Sequence, residues 1–365
     1  MAMFSMFFGA GNVIFPLLVG QVTQDMSFYS MLGLIITAVG VPFTGLFAMT
    51  LYNGDAREFF LRIGKWPGLL IALLIMGIIG PFGGIPRCVS LAYATTKMFF
   101  DIGPIVYFSL FACLAIFLMT IRKNKVMDII GWMLTPFFLL SIGLIIVLGI
   151  VNHPTELQPS MMNSLDAFYY GLKEGYNTMD LLGSFFFGAV VIQALKRIST
   201  HEGKLDQRSL IKNALLSCTV GAVLMSIVYV GMSTIAAFHA QELGGMKPEL
   251  LVGQIALTVL GPWAGVTACL AVIIATMTTA TALASVTSEF FSTDSFQGKI
   301  SYQSVLAITL VLTFFVSTLE FSGIVQMLAP IVQTIYPLLL VLSIVNIVLK
   351  TKPPKQQPAP VVIDN

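Results

Sequence analysis

Charged residues are scarce in this chain, and their scarcity excludes an ordinary soluble fold. Only 10% of its 365 residues are Asp, Glu, Lys or Arg, whereas 57% are hydrophobic. Soluble domains carry about 25% charged residues. Apolar runs of about 20 residues, the length that crosses a bilayer, recur from one end of the sequence to the other. The composition therefore predicts an all-α polytopic membrane protein that has the lipid bilayer as a partner.

Several other signals are missing as well. The formal net charge is only +2, and no basic cluster is interleaved with aromatic residues, so we expect no nucleic-acid partner. No positively charged segment precedes the first apolar run, so no cleavable signal peptide is expected. No cofactor, obligate protein partner or catalytic pair is indicated, which makes a membrane enzyme the weakest hypothesis. The cysteines lack the paired spacing of a disulfide framework or a metal site; they are Cys88, Cys113, Cys218 and Cys269.

The apolar runs predict ten membrane spans. Their expected bounds are Met1–Val19, Phe28–Leu51, Pro67–Arg87, Pro104–Ile121, Met127–Val151, a short sixth span at Leu181–Leu195, Leu210–His239, Pro262–Phe291, Tyr302–Leu319 and Ile324–Leu349. If the first loop faces outward, most of the 19 Lys and Arg residues lie on the inner side, so the positive-inside bias predicts that both termini are cytoplasmic. We expect one transmembrane domain, residues 1–350, in a cytoplasmic membrane, and a disordered Pro-rich cytoplasmic tail, residues 351–365.

The first span is interrupted by residues that a regular membrane helix avoids. The stretch Phe7–Pro16 holds two glycines, an asparagine and a proline. Glycine permits backbone conformations that are closed to other residues, and proline removes a hydrogen-bond donor. Unpaired backbone groups at membrane depth are tolerated only where they are buried in protein or line a cavity. The stretch is therefore either a glycine-lined packing kink or a binding site.

A second interruption is predicted in the sixth span. The apolar run Leu181–Leu195 extends only about 22 Å as a helix, at 1.5 Å per residue, against a hydrocarbon core of about 30 Å. An amphipathic piece, Leu165–Lys173, and a polar segment, Glu174–Asp180, precede it. These features predict two half-helices joined by an unwound segment. Because spans one and six lie five apart, the layout favours an inverted repeat, with halves at about 1–151 and 165–350 and a transport site at the membrane midplane.

The eighth span has threonines at its middle, after an expected interfacial or re-entrant helix at Glu249–Gly261. Hydroxyl groups in a membrane helix usually donate to carbonyls of their own helix. Adjacent threonines such as Thr278 and Thr279 can also supply the oxygen ligands that a small hard cation prefers. The sequence leaves both interpretations open.

Four further positions also have two interpretations each. Asp180 either is functional, as ionisable groups within the membrane often are, or caps the helix that follows it. Arg87 either extends to the membrane interface or forms a gating ion pair. The run Phe185–Phe187 packs in the core or lines a dry cavity for an aliphatic group. Glu174 is expected to face water rather than the site.

Four stretches of the chain resemble the bacterial branched-chain amino acid carrier family, the system II carriers. They are Phe7–Pro16, Ile79–Arg87, Glu174–Asp180 and Thr278–Ala280, in consistent order between about Met3 and Leu349. The resemblance implies a LeuT-like 5+5 inverted-repeat fold with broken spans one and six. It also implies symport of leucine, isoleucine and valine with Na⁺, or with H⁺ in some relatives, across the bacterial inner membrane. Relative to the family pattern the first span is short and two spans after the tenth are missing. A transport-incompetent binding or regulatory membrane protein is therefore the alternative.

The resemblance implies a set of site residues too. The N-terminus of a half-helix would hold the substrate carboxylate, and free carbonyls at the two breaks would accept from its ammonium. The implied substrate-binding residues are Gly9, Ala10, Gly11, Asn12, Tyr176, Asn177, Asp180 and Gly183. The implied sodium ligands are Ser5, Phe8, Ala275, Thr278 and Thr279, and Arg87 is the gating candidate. An ion that ties span one to span eight would favour substrate binding in the outward-open state.

Overall fold

The computed structural model describes residues 8–121, 126–152, 157–188, 192, 207–295 and 300–351, and of residues 126–138, 207–211 and 294–295 it describes the backbone alone. Within these ranges every regular element is helical. Five helical stretches are long and apolar enough to cross a membrane, and three shorter apolar helices accompany them. The prediction of an all-α polytopic membrane protein is confirmed. Ser5 and the predicted tail beyond Thr351 lie outside the described residues.

The described residues of the first half of the chain form eight α-helices. They are α1 (Ala10–Thr23), α2 (Ser27–Ile35), α3 (Val41–Leu51), α4 (Ala56–Leu61), α5 (Lys65–Gly77), α6 (Gly84–Lys97), α7 (Ile105–Ile121) and α8 (Val126–Val151). Helices α2 and α3 are continuous through a π-helical turn, and a second such turn, Ile78–Phe82, joins α5 to α6. Gly80 within it has non-helical angles (φ −90°, ψ −115°) and is followed by Pro81. The predicted interruption of span three is therefore present, but the span continues to Lys97, well beyond its expected end.

In the second half, seven α-helices fall within the described ranges. They are α9 (Ser164–Asn177), α10 (residues 180–188), α11 (Gln207–Phe238), α12 (Ala240–Leu243), α13 (Leu251–Glu289), α14 (Tyr302–Ser317) and α15 (Glu320–Thr351). Helix α13 contains a sharp break at Gly261 (φ 76°, ψ 177°), directly before Pro262. A left-handed φ of this kind is readily adopted only by glycine. The break separates a helix at 251–260 from the long span after it, as the sequence predicts.

The interruptions of spans one and six lie close to their predicted positions. Helix α1 begins at Ala10, after the extended backbone of Gly9 (φ −105°, ψ −169°). In span six the break is at Thr178 and Met179, where Met179 has φ 64°. The prediction of an unwound segment over the whole of Glu174–Asp180 is wrong, because α9 continues as a helix through Asn177.

Close packing of α9 against α2 explains this difference. A Cβ atom at Gly171 would overlap the Ser30 carbonyl, and one at Gly175 would overlap the Thr37 hydroxyl. Thr37 also donates to the Leu172 carbonyl at 3.0 Å. Small residues let membrane helices approach to backbone contact. The contact holds α9 helical to its end and thereby sets where the backbone breaks.

Helix α15 is held at both ends by short segments of the chain. At its start, Lys247 forms an ion pair with Glu320 at 2.6 Å, which raises the pKa of Lys247, and Ser322 donates to the buried Glu249 at 2.6 Å. At its other end, Lys350 forms an ion pair with Glu58 of α4 at 3.0 Å. Beside that pair, the Asn346 side chain donates to the Phe59 carbonyl at 3.2 Å.

Candidate functional site

The two broken spans and helices α6 and α13 line one cavity. Its wall consists of Gly9, Ala10, Gly11, Asn12, Ile79, Gly84, Arg87, Cys88, Thr178, Met179, Asp180, Gly183, Phe187, Thr279 and Leu283. Six of the eight predicted substrate-binding residues are in this set, as are Thr279 and Arg87. Tyr176 and Asn177 are not, although they lie immediately before the break of span six. The cavity therefore brings together residues from four distant parts of the sequence.

The first turn of α1 forms one side of the cavity. Gly9 precedes it and, as a glycine, provides no side-chain cap, and a helix N-terminus carries a partial positive charge. The Cys88 thiol lies against the Ala10 N–H. A Cβ atom at Gly11 would lie 3.4 Å from the Thr178 Cα. The backbone breaks of spans one and six thus lie next to each other.

Asp180 is a buried carboxylate at the start of α10, only 6% exposed. Its Oδ2 accepts from the Asn12 side chain of α1 at 2.8 Å, and the Tyr229 hydroxyl of α11 lies 3.4 Å from the same oxygen. The neighbouring Leu181 N–H donates to the Tyr336 hydroxyl of α15 at 2.9 Å. Because these bonds run to side chains of other helices, the interpretation of Asp180 as a simple cap is not favoured.

Arg87 is the large cation of the cavity wall, and it is 1% exposed. Its Nη1 donates to the Asn177 carbonyl at 2.7 Å. Its guanidinium carbon lies 5.9 Å from the Phe15 ring centre and 5.8 Å from that of Phe321. The interpretation in which Arg87 reaches the membrane interface is wrong, because α6 continues to Lys97 and places Arg87 inside the protein.

Glu174 also differs from its predicted position. It is half-buried, and it accepts from the Asn177 side chain at 3.0 Å. The prediction that Glu174 faces water is therefore wrong. Asn177 thus links Glu174 to Arg87: its side-chain amide donates to Glu174, and its backbone carbonyl accepts from Arg87.

The threonines of α13 donate to their own helix. Thr278 and Thr279 both donate to the Ala275 carbonyl, at 2.8 and 2.9 Å. Only Thr279 lines the cavity, and its Cγ2 would lie 3.5 Å from a Cβ atom at Gly9. A hydroxyl that donates to a carbonyl keeps its own lone pairs. The structure places Thr279 at the break of span one, beside the buried Phe8.

Both interpretations of the phenylalanine run apply, to different residues. Phe185 packs in the core, with its ring centre 5.1 Å from that of Phe59 and 5.3 Å from that of Phe60. Phe187 lines the cavity together with Ile79 and Leu283. These three side chains form the apolar part of the cavity wall.

Sequence reasoning missed several residues of the site. Tyr229 and Tyr336 are not among the predicted residues, although each is the single tyrosine of its helix. A lone phenol within a membrane-length helix was the available signal. Cys88 was treated only as one of four scattered cysteines, whereas it is buried in the cavity wall.

Membrane-length helices that surround a cavity lined by broken spans define a membrane transport protein rather than an enzyme. The chain belongs to the branched-chain amino acid transport protein family, whose model matches residues 1–363. It is 28% identical over 363 residues to the branched-chain amino acid permease BrnQ of Bacillus subtilis, covering 96% of this chain and 81% of that protein. It is 28% identical over 352 residues to BrnQ of Corynebacterium glutamicum, covering 95% and 79%. It is 26% identical over 362 residues to the permease BraB of Bacillus subtilis, covering 95% and 78%.

Proposed function

We propose that this chain is a secondary active transporter that carries leucine, isoleucine and valine into the cell by alternating access. One observation carries the proposal: the breaks of spans one and six meet at a single cavity that contains a buried carboxylate and a buried guanidinium. Interrupted spans at corresponding positions of two halves are the sequence and structural mark of a secondary-transporter site. The relatives are named branched-chain amino acid permeases, which supports this choice of substrate.

The proposed fold is the LeuT-like 5+5 inverted repeat. In support of it, the two broken spans lie five apart in the predicted order and their breaks are adjacent, at Gly11 and Thr178. A short helix also follows the second span of each half, α4 in the first and α12 in the second. We further propose that both termini lie in the cytoplasm and that the chain resides in the bacterial inner membrane, as the charge bias favours.

The cavity has the chemistry that an aliphatic amino acid requires. Ile79, Phe187 and Leu283 offer an apolar surface for a branched side chain. The first turn of α1 and the break at residues 178–180 contribute polar groups to the same cavity. The alternative, a transport-incompetent binding or regulatory protein, is not favoured, because its relatives are permeases and the described cavity contains groups for both ends of an amino acid.

Sodium is the proposed coupling ion. Thr279 of α13 lies beside Gly9 at the break of span one and donates to the Ala275 carbonyl. The Ala275, Phe8 and Gly9 carbonyls are further proposed ligands. Ser5 and Thr278 complete the proposed ligand set. An ion held between α1 and α13 would stabilise the conformation that binds substrate and would so couple the two. The second candidate is H⁺, for which the buried carboxyl of Asp180 is the group that could carry the proton.

Uptake of labelled leucine into proteoliposomes tests this function directly. An inward Na⁺ gradient is expected to drive accumulation above the equilibrium level, and replacement of Na⁺ by K⁺ is expected to abolish it. Accumulation that instead follows an imposed pH gradient would assign coupling to H⁺. Protein-free liposomes provide the background. Absence of leucine, isoleucine and valine uptake under both gradients would contradict the proposal.

A further inference from the structure

Arg87 is the one group in the described cavity wall whose hydrogen-bonding capacity is conspicuously unfilled. Its Nη1 is bonded to the Asn177 carbonyl. Its Nε and Nη2 are buried and have no hydrogen-bond partner among the described residues. The ion pairs within the same residues do not involve it. The attraction of the nearby Glu174 offsets part of the cost of burying this cation, but the two buried N–H groups remain without an acceptor among the described residues.

The unfilled donors have a definite geometry. Nε and Nη2 lie along one edge of the planar guanidinium and form a fork that matches the two oxygens of a carboxylate. The hydrogen bond described for the cation does not use that edge. Nη1 is used by Asn177, and the rings of Phe15 and Phe321 lie near the guanidinium at 5.9 and 5.8 Å from its carbon. The free edge therefore selects a planar, bidentate anion.

The acidic side chains near Arg87 form no direct hydrogen bond to it among the described residues, although Glu174 attracts it electrostatically. Glu174 accepts from the Asn177 side chain at 3.0 Å, and Asp180 accepts from Asn12 at 2.8 Å. Arg87 and Asp180 line the same cavity but do not pair with each other. The cavity thus presents one cation and one carboxylate on separate parts of its wall, as a zwitterion requires.

On the basis of the transport function proposed above, we propose that Arg87 binds the α-carboxylate of the substrate through Nε and Nη2, while Asp180 faces its ammonium group. Arg87 is then a specificity-determining residue of the site rather than a gate. The apolar surface of Ile79, Phe187 and Leu283 lies in the same cavity, which favours an amino acid over a small inorganic anion. The substrate class is therefore restricted to free zwitterionic α-amino acids, and analogues that lack either charge are rejected.

Equilibrium binding to the purified protein in saturating Na⁺ tests this role. The ligands are leucine, 3-methylbutylamine (leucine without its carboxylate) and 4-methylpentanoate (leucine without its ammonium). In the wild type we expect the amine to bind about 100-fold more weakly than leucine, as loss of one partner of a buried charge pair predicts. In Arg87→Gln the affinity for leucine is expected to fall about 100-fold and that for the amine to stay unchanged.

Two further variants sharpen the comparison. Arg87→Lys keeps the charge but removes the fork, and it is expected to lose about tenfold in leucine affinity. Arg62→Gln is the matched control. Like Arg87, Arg62 lies near an aromatic ring, with its guanidinium carbon 5.9 Å from the Tyr52 ring centre. Unlike Arg87, it is exposed, just after α4, and does not line the cavity. Its leucine affinity is expected to equal that of the wild type. Retained binding of the amine shows that a variant is folded.

Several outcomes would overturn the inference. Unchanged leucine affinity in Arg87→Gln together with slower transport would assign the residue to gating. Leucine binding that requires chloride in the wild type, and loses that requirement in Arg87→Gln, would assign the edge to an inorganic anion. Equal affinity of the wild type for leucine and the amine would exclude a carboxylate anchor without any variant. If the wild type binds none of leucine, isoleucine and valine, the transport function itself fails, which is a distinct result.

Discussion

Replacement of Thr279 by valine separates a role in ion binding from a role in stability. The substitution removes one hydroxyl at nearly constant volume. The Ala275 carbonyl loses the donor at 2.9 Å but keeps that of Thr278 at 2.8 Å, so no buried acceptor is left bare. Side-chain hydrogen bonds within membrane bundles contribute about 0.6 kcal/mol on average. We therefore expect Thr279→Val to fold and to lose less than about 1 kcal/mol of stability.

The effect on Na⁺ should be much larger if Thr279 is a ligand. Hydrogen bonds to charged groups are worth about 1.5–3 kcal/mol, and we take the same range for loss of one oxygen ligand. A loss of about 2 kcal/mol raises the half-saturating Na⁺ concentration about 30-fold. The assay is leucine uptake into proteoliposomes over a series of Na⁺ concentrations, with thermal unfolding of the same preparation as the measure of stability.

Thr281→Val is the matched control for this experiment. Thr281 lies on the same helix, is fully buried and donates to the Met277 carbonyl at 2.8 Å, but does not line the cavity. Its loss of stability is expected to be similar and its Na⁺ dependence unchanged. A Thr279→Val protein whose Na⁺ dependence equals that of the wild type would refute the placement of the ion at α13. Equal shifts in both variants would attribute the effect to the helix as a whole.

Three further predictions follow from single contacts. A small thiol reagent that reaches Cys88 should block uptake, and leucine should slow the labelling, whereas Cys113, which does not line the cavity, should show no such protection. Gly171→Leu should prevent stable folding, because the added side chain overlaps the backbone of α2. Gly143 has open space around it, so Gly143→Ala should leave stability in thermal unfolding unchanged or raise it by up to about 1 kcal/mol. Lys247→Gln should cost less than about 1 kcal/mol at pH 7. Because the ion pair raises the lysine pKa, that difference should disappear only at alkaline pH as the wild-type lysine deprotonates.

Local sequence was sufficient to predict helix bounds and breaks where one residue type decides the backbone conformation. The apolar runs predicted the bounds of α7, α8 and α14 closely. Glycine marked the breaks at Gly9, Gly80 and Gly261, and a proline directly follows the last two. Of these three, Gly261 has the left-handed φ that favours glycine.

The break of span six could not be placed from local sequence in the same way. Polar residues suggested an unwound segment from Glu174, but contact between α9 and α2 at Gly171 and Gly175 keeps the helix intact to Asn177. That contact depends on residues more than a hundred positions apart in the chain. Sequence-local propensity is routinely overridden by such tertiary packing.

The polar partners within the site were beyond prediction for a related reason. Asp180 was selected from its position alone, but its bonds to Asn12 and Tyr229 cross between helices that no local pattern links. Arg87 was assigned to the membrane interface or to a gate because its helix was expected to end there. Its burial follows from the continuation of α6 to Lys97.

The attachment of α15 at both ends bears on how fast the protein can change shape. The exposed pairs Lys247–Glu320 and Lys350–Glu58 are each worth at most about 1 kcal/mol, so thermal motion opens them readily. The buried contacts of Glu249 and Asn346 are the stronger restraints. Pro330 and Pro337 each interrupt the ladder of hydrogen bonds between these ends. We therefore expect α15 to bend at its middle, which would let one end detach while the other keeps its contacts. The rate of detachment would be set by the buried hydrogen bond that must break at that end.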